Sequence, residues 1–249
     1  MSGHSKWATT KHQKAVKDAR RGKMFAKLIR AIEVAARDGG GNADSNATLA
    51  DAISRARDQS LPGDTIERAI KRGTGELEGV KYETLMYEGY APGGVAVLLE
   101  VMTDNRNRAA AEVRRIFSKN GGTLAEPGAV AWMFTKKGVI LVPMANASED
   151  ELLAVAMEAG AEDLKEDGDS WEVVCQPQDL HALRQAIEAA GVAIEAAQTT
   201  MEPSSSVPVD PTTAPKVLRL MDDLEDSDDV QEVYSNFDIP DALMAELAG

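Results

Sequence analysis

Residues 138–202 read GVILVPMANASEDELLAVAMEAGAEDLKEDGDSWEVVCQPQDLHALRQAIEAAGVAIEAAQTTME. Short runs rich in Val, Ile and Ala alternate here with segments of helical periodicity, and Gly or Pro separates several of them. Ser148 and Glu151 form a capping-box pattern before the first helix, and Asp167-Gly168-Asp169 suits a hairpin turn. The predicted order is strand, helix, strand, strand, helix, strand. This is the split βαβ or ferredoxin-like order, which places both helices on one face of the sheet.

The residues on either side of this unit predict a second α/β domain. The segment that follows the unit is too short and too polar to form a core alone. We therefore expect it to complete the domain that begins before the unit, so that the ferredoxin-like unit is an insertion. The predicted elements are strands at 82–90, 95–102, around 123 and at 129–134, a helix from 105 to 119, and, after the insertion, a helix at 213–224 and a strand at 231–234.

The first part of the chain predicts three helices. Residues 18–37 form an amphipathic helix that ends at Gly39-Gly40-Gly41, and two shorter helices are predicted at 46–59 and 63–73. The predicted fold class is α+β and multidomain. It comprises an N-terminal three-helix domain with a basic arm and two α/β domains, one ferredoxin-like and inserted in the other. The predicted domains are residues 1–78, residues 79–137 with 203–241, and residues 138–202.

Charge is distributed unevenly along the chain, which has a formal net charge of −14. Residues 1–75 hold 15 basic and 8 acidic residues, whereas residues 140–249 hold 4 basic and 25 acidic residues. A basic segment attracts phosphate and an acidic domain repels it. The acidic run at 222–229 is predicted to be a solvated helix end and loop. The functional alternative is that it repels nucleic acid from its side of the molecule.

Basic residues recur mostly every three or four positions through the arm and the first helix. On that helix the apolar stripe of Phe25, Leu28 and Ile32 lies opposite a cationic stripe. The cationic stripe contains Arg20, Lys23, Lys27, Arg30 and Arg37, and only Asp18 precedes Glu33 as a balancing acid. The pattern therefore favours nucleic-acid binding over a merely solvated face, and six neutralised phosphates would give a log-log salt slope of about −5. The candidate cations are Lys6, Lys11, Lys14, Lys17, Arg20, Arg21, Lys23, Lys27 and Arg30.

The arm itself has few large apolar side chains, and we expect it to be mobile until it binds a partner. Its Trp7 and His12 are candidates for stacking on bases, although packing on the fold explains them as well. Arg106 and Arg108 form a second candidate group. Arginine at a helix N-terminus opposes the helix dipole, so these two residues serve either nucleic-acid contact or pairing with the acidic domain.

Catalytic and metal-binding patterns are weak in this sequence. The single cysteine, Cys175, lies at an alternating position within a strand, which indicates a buried small side chain and excludes an intrachain disulfide. His4 and His12 lack a further ligand in the arm, and no phosphate-binding loop or nucleophile elbow is present. We expect no enzyme activity, no metal, no cofactor and no small-molecule substrate. The composition also indicates a cytoplasmic protein without a membrane segment.

Five segments resemble the signature segments of the YebC family, which includes the mitochondrial translational activator of cytochrome c oxidase. They are MSGHSKW at 1–7, the helix from Lys23 to Ile32 that ends in three glycines, YEGYAPGG at 87–94, TDNRNR at 103–108 and AGAEDL at 159–164. The resemblance extends to Val233-Tyr234. It implies three domains, one helical and two α/β, without known enzymatic activity.

The resemblance leaves the nucleic acid undecided. Bacterial members are commonly described as DNA-binding transcriptional regulators, whereas the mitochondrial relative implies a role in translation. We expect a ribosome-associated translation factor that contacts ribosomal RNA, because a Lys-rich arm with His and Trp suits irregular RNA and no recognition helix is evident. The alternative is a transcriptional regulator that binds duplex DNA. A hydrolase acting in an interdomain cleft is a weaker third hypothesis, since no convergent catalytic set is present.

Overall fold

The computed structural model describes residues 18–240, with side chains from residue 22 onward. Its first domain contains helices α1 (Asp18–Gly39), α2 (Ala47–Asp58) and α3 (Gly63–Gly73), as the sequence predicts. Their apolar faces meet in one core. It contains Ile32, Ala35, Ala36, Leu49, Ile53, Ala56, Leu61, Ile66 and Ala69, with Phe25 and Leu28 packed against it.

Asn46 ties the loop after α1 to the start of α2. Its side-chain oxygen accepts from the backbone N–H of Leu49 at 3.1 Å, as an N-cap does. Its amide nitrogen donates to the carbonyl oxygens of Ala35 and Gly40, each at 2.8 Å. One buried side chain therefore satisfies the end of one helix and the beginning of the next.

The middle domain is built on a four-stranded sheet. Its strands are β1 (Glu83–Tyr90), β2 (Ala96–Thr103), β3 (Thr123–Ala125) and β9 (Val230–Ser235). Their order in the sheet is β3-β1-β2-β9, and all three pairings are antiparallel. Helices α4 (Arg106–Lys119) and α7 (Ala214–Glu225) contribute to the core with β1, β2 and β9. Short strands β8 (Val207–Pro208) and β10 (Phe237–Asp238) form a separate parallel pair. The segment after residue 203 thus completes the sheet that begins at residue 83.

The inserted unit has the predicted ferredoxin-like topology. Its strands are β4 (Phe134–Pro143), β5 (Ala161–Asp167), β6 (Ser170–Cys175) and β7 (Ala196–Pro203), in the order β5-β6-β4-β7 and antiparallel throughout. Helices α5 (Glu149–Glu158) and α6 (Leu180–Ala189) pack on one face, and the Ser148–Glu151 capping box is present. Strands β4 and β7 also extend to Phe134 and Pro203, so the pair carries the chain out of the middle domain and back into it.

The predicted strand at 129–134 is wrong except for its last residue. Residues 131–133 form a 3-10 turn, and β4 begins at Phe134. The reason is the buried side chain of Glu88 on β1, whose carboxylate accepts from the backbone N–H groups of Gly128, Val130 and Ala131 at 2.6–2.8 Å. Backbone groups that bind a carboxylate are not available to a neighbouring strand.

Among residues 18–240, no helix combines the length and the apolar composition that crossing a bilayer requires. The longest helix of the described residues is α1, with 22 residues.

Candidate nucleic-acid interface

The cationic face of α1 lies against residues 225–229, which we call the acidic loop. Lys23 Nζ donates to the carbonyl oxygen of Asp226 at 2.8 Å, and Lys27 Nζ donates to that of Glu225 at 2.6 Å. Helix α7 ends at Glu225, and the last carbonyls of a helix lack intrahelical partners and carry the negative end of its dipole. These two lysines, which belong to the helical domain, therefore donate hydrogen bonds to backbone carbonyls at the end of α7, in the middle domain.

Arg30 lies deeper than Lys23 on the same face of α1. Its Nη1 donates to the carbonyl oxygens of Asp228 at 2.7 Å and Met102 at 3.0 Å. Its guanidinium carbon lies 4.9 Å from the centroid of the Tyr82 ring, within the range of a cation–π contact. The Arg30 side chain is 13% exposed, which leaves little of it for an external phosphate.

Asp229 joins the two cationic groups that the sequence suggests separately. Its carboxylate accepts from Arg108 Nη2 at 2.9 Å and from Thr103 Oγ1 at 3.0 Å, and it lies 3.7 Å from Arg30 Nη1. The hydrogen bond to Asp229 and the negative charge of that carboxylate raise the pKa of Arg108. Asp229 is 5% exposed, so the expectation that the whole run at 222–229 is solvated is wrong at this end. A buried carboxylate is retained where cations and donors surround it.

Arg106 differs from Arg108 although only one residue separates them. Its side chain is 67% exposed, and its Nε lies 3.7 Å from Glu83 Oε2. An exposed pair at this distance is weak, so the Arg106 guanidinium is accessible to a ligand. The sequence leaves two roles open for Arg106 and Arg108: nucleic-acid contact, or pairing with the acidic domain. The ion pair between Arg108 and Asp229 agrees with pairing.

Several candidates lie outside the part of the chain that the structure describes. The arm residues Lys6, Trp7, Lys11, His12, Lys14 and Lys17 precede residue 18. Arg20 and Arg21 are on α1, five residues of which precede Lys23, but their side chains are not described. Nucleic-acid binding by all of these residues stays a prediction.

Local sequence patterns give no sign of the acidic loop's role. The loop residues that accept from Lys23, Lys27 and Arg30 lie 198 to 203 positions further along the chain. The absence of acids within one helical turn correctly indicates that the cations have a partner elsewhere. It does not distinguish an external phosphate from a distant segment of the same chain.

A second group of polar contacts, centred on α2, links all three domains. Arg55 on α2 forms an ion pair with Glu232 on β9, and Arg184 on α6 donates to Ser54 Oγ at 3.1 Å. Burial raises the pKa of Glu100 on β2, and the neighbouring Glu232 raises it further. Burial also raises the pKa of Asp51 on α2. The domains therefore meet through charged groups that are partly removed from water.

Within residues 18–240, no group of three His, Cys, Asp or Glu residues is arranged to hold a metal ion. Cys175 is fully buried in the ferredoxin-like core, as predicted, and burial raises the pKa of its thiol to about 11. A thiol with so high a pKa is a poor nucleophile at neutral pH.

Family profiles match both parts of the chain. Residues 5–76 match the profile described as the TACO1/YebC protein N-terminal domain, and residues 82–237 match the TACO1/YebC second and third domain. The chain belongs to the TACO1/YebC family. The resemblance drawn from the five sequence segments is thereby confirmed.

Relatives of this TACO1/YebC chain align along their whole length. A protein from Acidothermus cellulolyticus is 58% identical over 99% of the chain and 100% of the relative, and one from Thermobifida fusca is 57% identical over 100% of both. Each is named "Probable transcriptional regulatory protein". The crystal structure of a conserved hypothetical protein from Aquifex aeolicus is 49% identical, with a TM-score of 0.80 over 90% of this chain and 93% of that one. The predicted fold class is confirmed.

Proposed function

We propose that this TACO1/YebC chain is a non-enzymatic, nucleic-acid-binding regulator of gene expression that acts in the cytoplasm. The observation that supports this most is the division of the cations at Lys23. From Lys23 to Arg30 they are bound to the acidic loop, whereas six cations precede them without sufficient nearby acids to balance them. Those six are Lys6, Lys11, Lys14, Lys17, Arg20 and Arg21. A dense cationic segment of this kind binds phosphate backbones.

Duplex DNA is the partner that the relatives support. Two relatives that are 57% and 58% identical over nearly the whole chain are named "Probable transcriptional regulatory protein". In this proposal the chain regulates transcription through contact with DNA. In this proposal the basic segment follows the phosphate backbone and sets the affinity. Phosphate contacts alone carry no sequence information, so any selectivity has to come from other side chains or from DNA shape.

A ribosome-associated translation factor that contacts ribosomal RNA is the second candidate. One observation favours it: on α3, the helix that follows a turn and so would suit the recognition position, both arginines are already paired, Arg68 with Asp64 and Arg72 with Glu33. Recognition helices leave such side chains available for base edges. In this proposal the factor relieves stalled synthesis.

The experiment compares two double variants of equal charge change. In the first, Lys11→Glu and Lys14→Glu alter the basic segment. In the second, Lys216→Glu and Arg219→Glu alter exposed cations on α7. Binding is measured by fluorescence anisotropy on a 20-base-pair DNA duplex and by cosedimentation with purified ribosomes, both at about 150 mM salt. We expect the first variant to lose at least ten-fold in affinity and the second to change little.

Each outcome distinguishes between the candidates. Duplex binding that the first variant loses, without ribosome cosedimentation, supports the transcriptional regulator. Cosedimentation that the first variant loses, with weak duplex binding, supports the translation factor. If both variants lose affinity by the same factor, the loss reflects the change in net charge, and the basic segment is not the binding site. If the wild-type chain binds neither partner, the proposed function is wrong.

A further inference from the structure

Trp132 is the most exposed of the large apolar side chains among residues 22–240, at 74%. The whole sequence contains only three tryptophans. Trp171, by contrast, is 8% exposed and belongs to the ferredoxin-like core. Single exposed apolar residues are common, so exposure alone does not indicate a binding site.

The ring of Trp132 is nevertheless held in place. Its indole Nε1 donates to the carbonyl oxygen of Ala129 at 3.1 Å. The hydroxyl of Tyr90 donates to the same oxygen at 3.2 Å. Two aromatic side chains from β1 and from the 3-10 turn are thus fixed on one acceptor. Because the indole N–H is already bonded within the chain, Trp132 offers a ligand mainly its π faces.

The backbone beneath this aromatic pair is also fixed. The buried carboxylate of Glu88 accepts from Gly128, Val130 and Ala131, the last of which directly precedes Trp132. On the other side of the turn, Val130 and Phe134 are buried in a cluster against Leu98 of β2. A rigid aromatic ring loses little conformational entropy on binding, which makes it a suitable contact surface.

The surroundings of the pair limit what can bind there. The exposed neighbours of Trp132 along the chain, Glu126, Pro127, Gly128 and Thr135, carry no large apolar side chain, and the next exposed large apolar side chain on β1 is Met86, four residues before Tyr90. A stable protein partner covers about 800 Å² on each side, with an apolar centre, which these neighbours do not provide. A single nucleobase covers one aromatic ring, and every base has a π face that stacks on it.

We propose that Trp132, with Tyr90 beside it, is a stacking site for an unpaired base of a single-stranded nucleic acid. The inference rests on the proposed function in one respect, since it assumes that the partner is a nucleic acid. It adds the form of that partner: a base stacks on Trp132 only where the strand is single, frayed or looped, because paired bases inside a duplex keep their faces covered.

The test measures binding of fluorescein-labelled 12-nucleotide RNA by anisotropy. The same sequence is used as single-stranded RNA, single-stranded DNA and duplex RNA. We expect Trp132→Ala to weaken single-strand binding about five- to 100-fold, as loss of one stacked base does. Trp132→Phe should retain most of the affinity, and duplex binding should not change. Met157→Ala, which removes a side chain 53% exposed on α5, is the matched control.

The dependence of single-strand affinity on salt concentration is a second readout. It would change only if the substitution altered the number of charged contacts with phosphate. Removing an uncharged ring releases no counterions, so Trp132→Ala should lower single-strand affinity by the same factor at each salt concentration. If Trp132→Ala loses affinity for single-stranded DNA and RNA equally, the ring stacks on bases of either nucleic acid. If it loses affinity only for RNA, binding at this site also requires the 2′-hydroxyl. Both results support the site.

Three outcomes would overturn this inference. If Trp132→Ala binds single strands as the wild type does, no base stacks on the ring, although the proposed function stands when wild-type binding is strong. If the variant loses single-strand and duplex affinity equally, Trp132 acts on the fold rather than on a base. If the wild-type chain binds no nucleic acid at all, both this inference and the proposed function fail.

Discussion

At the scale of single residues, Asp229 is the clearest point of contact between the helical and middle domains. Replacing it by asparagine removes the charge that faces Arg30 and Arg108 while keeping the side chain's shape. We expect Asp229→Asn to lower the free energy of unfolding by roughly 2 kcal/mol or more, because a buried cation loses its counter-charge. Urea denaturation measures the change.

Asp228→Asn is the control for that variant. The Asp228 side chain is 76% exposed and lies 3.8 Å from Lys23, so its removal should cost less than about 0.5 kcal/mol. Equal costs at the two positions would contradict the assignment of Asp229 as the buried partner.

Glu88 makes stability depend on pH. Burial by itself raises the pKa of this carboxyl, but the three backbone N–H donors outweigh burial and lower it below its ordinary value near 4.5. A lowered pKa in the folded state means that the contribution is present above about pH 4.5 and is lost as the pH falls through the folded value. Glu88→Gln should therefore cost about 1–3 kcal/mol at pH 7 and progressively less in acid.

Unfolding curves at pH 7, 5 and 3 would test this dependence, with Glu126→Gln as the control. Glu126 is an exposed acid in the same loop, and its replacement should have little effect at any of these pH values. A cost for Glu88→Gln that is the same at pH 7 and pH 3 would sink the explanation.

At the scale of the elements, α3 lies close against α1 at Gly73. A Cβ atom there would lie 2.4 Å from the carbonyl oxygen of Glu33 and 2.7 Å from Cβ of Ala36. We expect Gly73→Ala to destabilise the chain by about 1–3 kcal/mol, because the two helices have to separate. Thermal unfolding of the full chain measures the effect.

Gly63, at the other end of α3, provides the comparison. A Cβ atom at Gly63 would meet nothing within 4 Å. Gly63→Ala should be neutral or stabilise the chain by about 0.4–1 kcal/mol, through a smaller entropy in the unfolded state. If both alanine variants behaved alike, the close approach of the helices would not be what requires glycine at Gly73.

Most elements could be predicted because their signals are local. The cap at Asn46, the glycines after α1 and the capping box before α5 each act within a few residues, and the structure has all of them. The strand predicted at 129–134 failed because its backbone is bound by Glu88, more than 40 positions earlier. No pattern within residues 129–134 reveals that carboxylate.

At the scale of the whole molecule, the salt dependence of DNA binding reports how many cations take part. If only the six cations before Lys23 bind phosphate, the log-log slope on duplex DNA should be about −5. If Lys23, Lys27 and Arg30 leave the acidic loop to join them, nine cations bind, and the slope should be about −8. We expect the shallower value, because those three are already bonded to backbone carbonyls.

Titration of one labelled duplex between 50 and 200 mM salt would give the slope. Lys27→Met offers an internal check, since it should leave the slope unchanged if Lys27 stays on the acidic loop. A slope near −8 that becomes shallower by about one in Lys27→Met would show that the interface opens on binding.

The arrangement of the domains was predictable only in part. The insertion of the ferredoxin-like unit followed from the order of elements and from the poor composition of the last segment. The docking of α1 did not follow, because a cationic helix face has the same sequence pattern whether phosphate or a distant acidic loop covers it. The exposure of Trp132 did not follow either, because it depends on the 3-10 turn that replaces the strand expected at 129–134.

The large sequence separation between α1 and the acidic loop that it contacts has a consequence for protein synthesis. Lys27 is made 198 residues before Glu225, whose carbonyl it binds. At about 5–20 residues per second, roughly 10–40 s pass before that partner exists. Throughout this interval the nascent helix carries its full set of uncompensated cations beside the machinery that is making it. The finished protein and its own growing chain thus differ in how much positive charge they present.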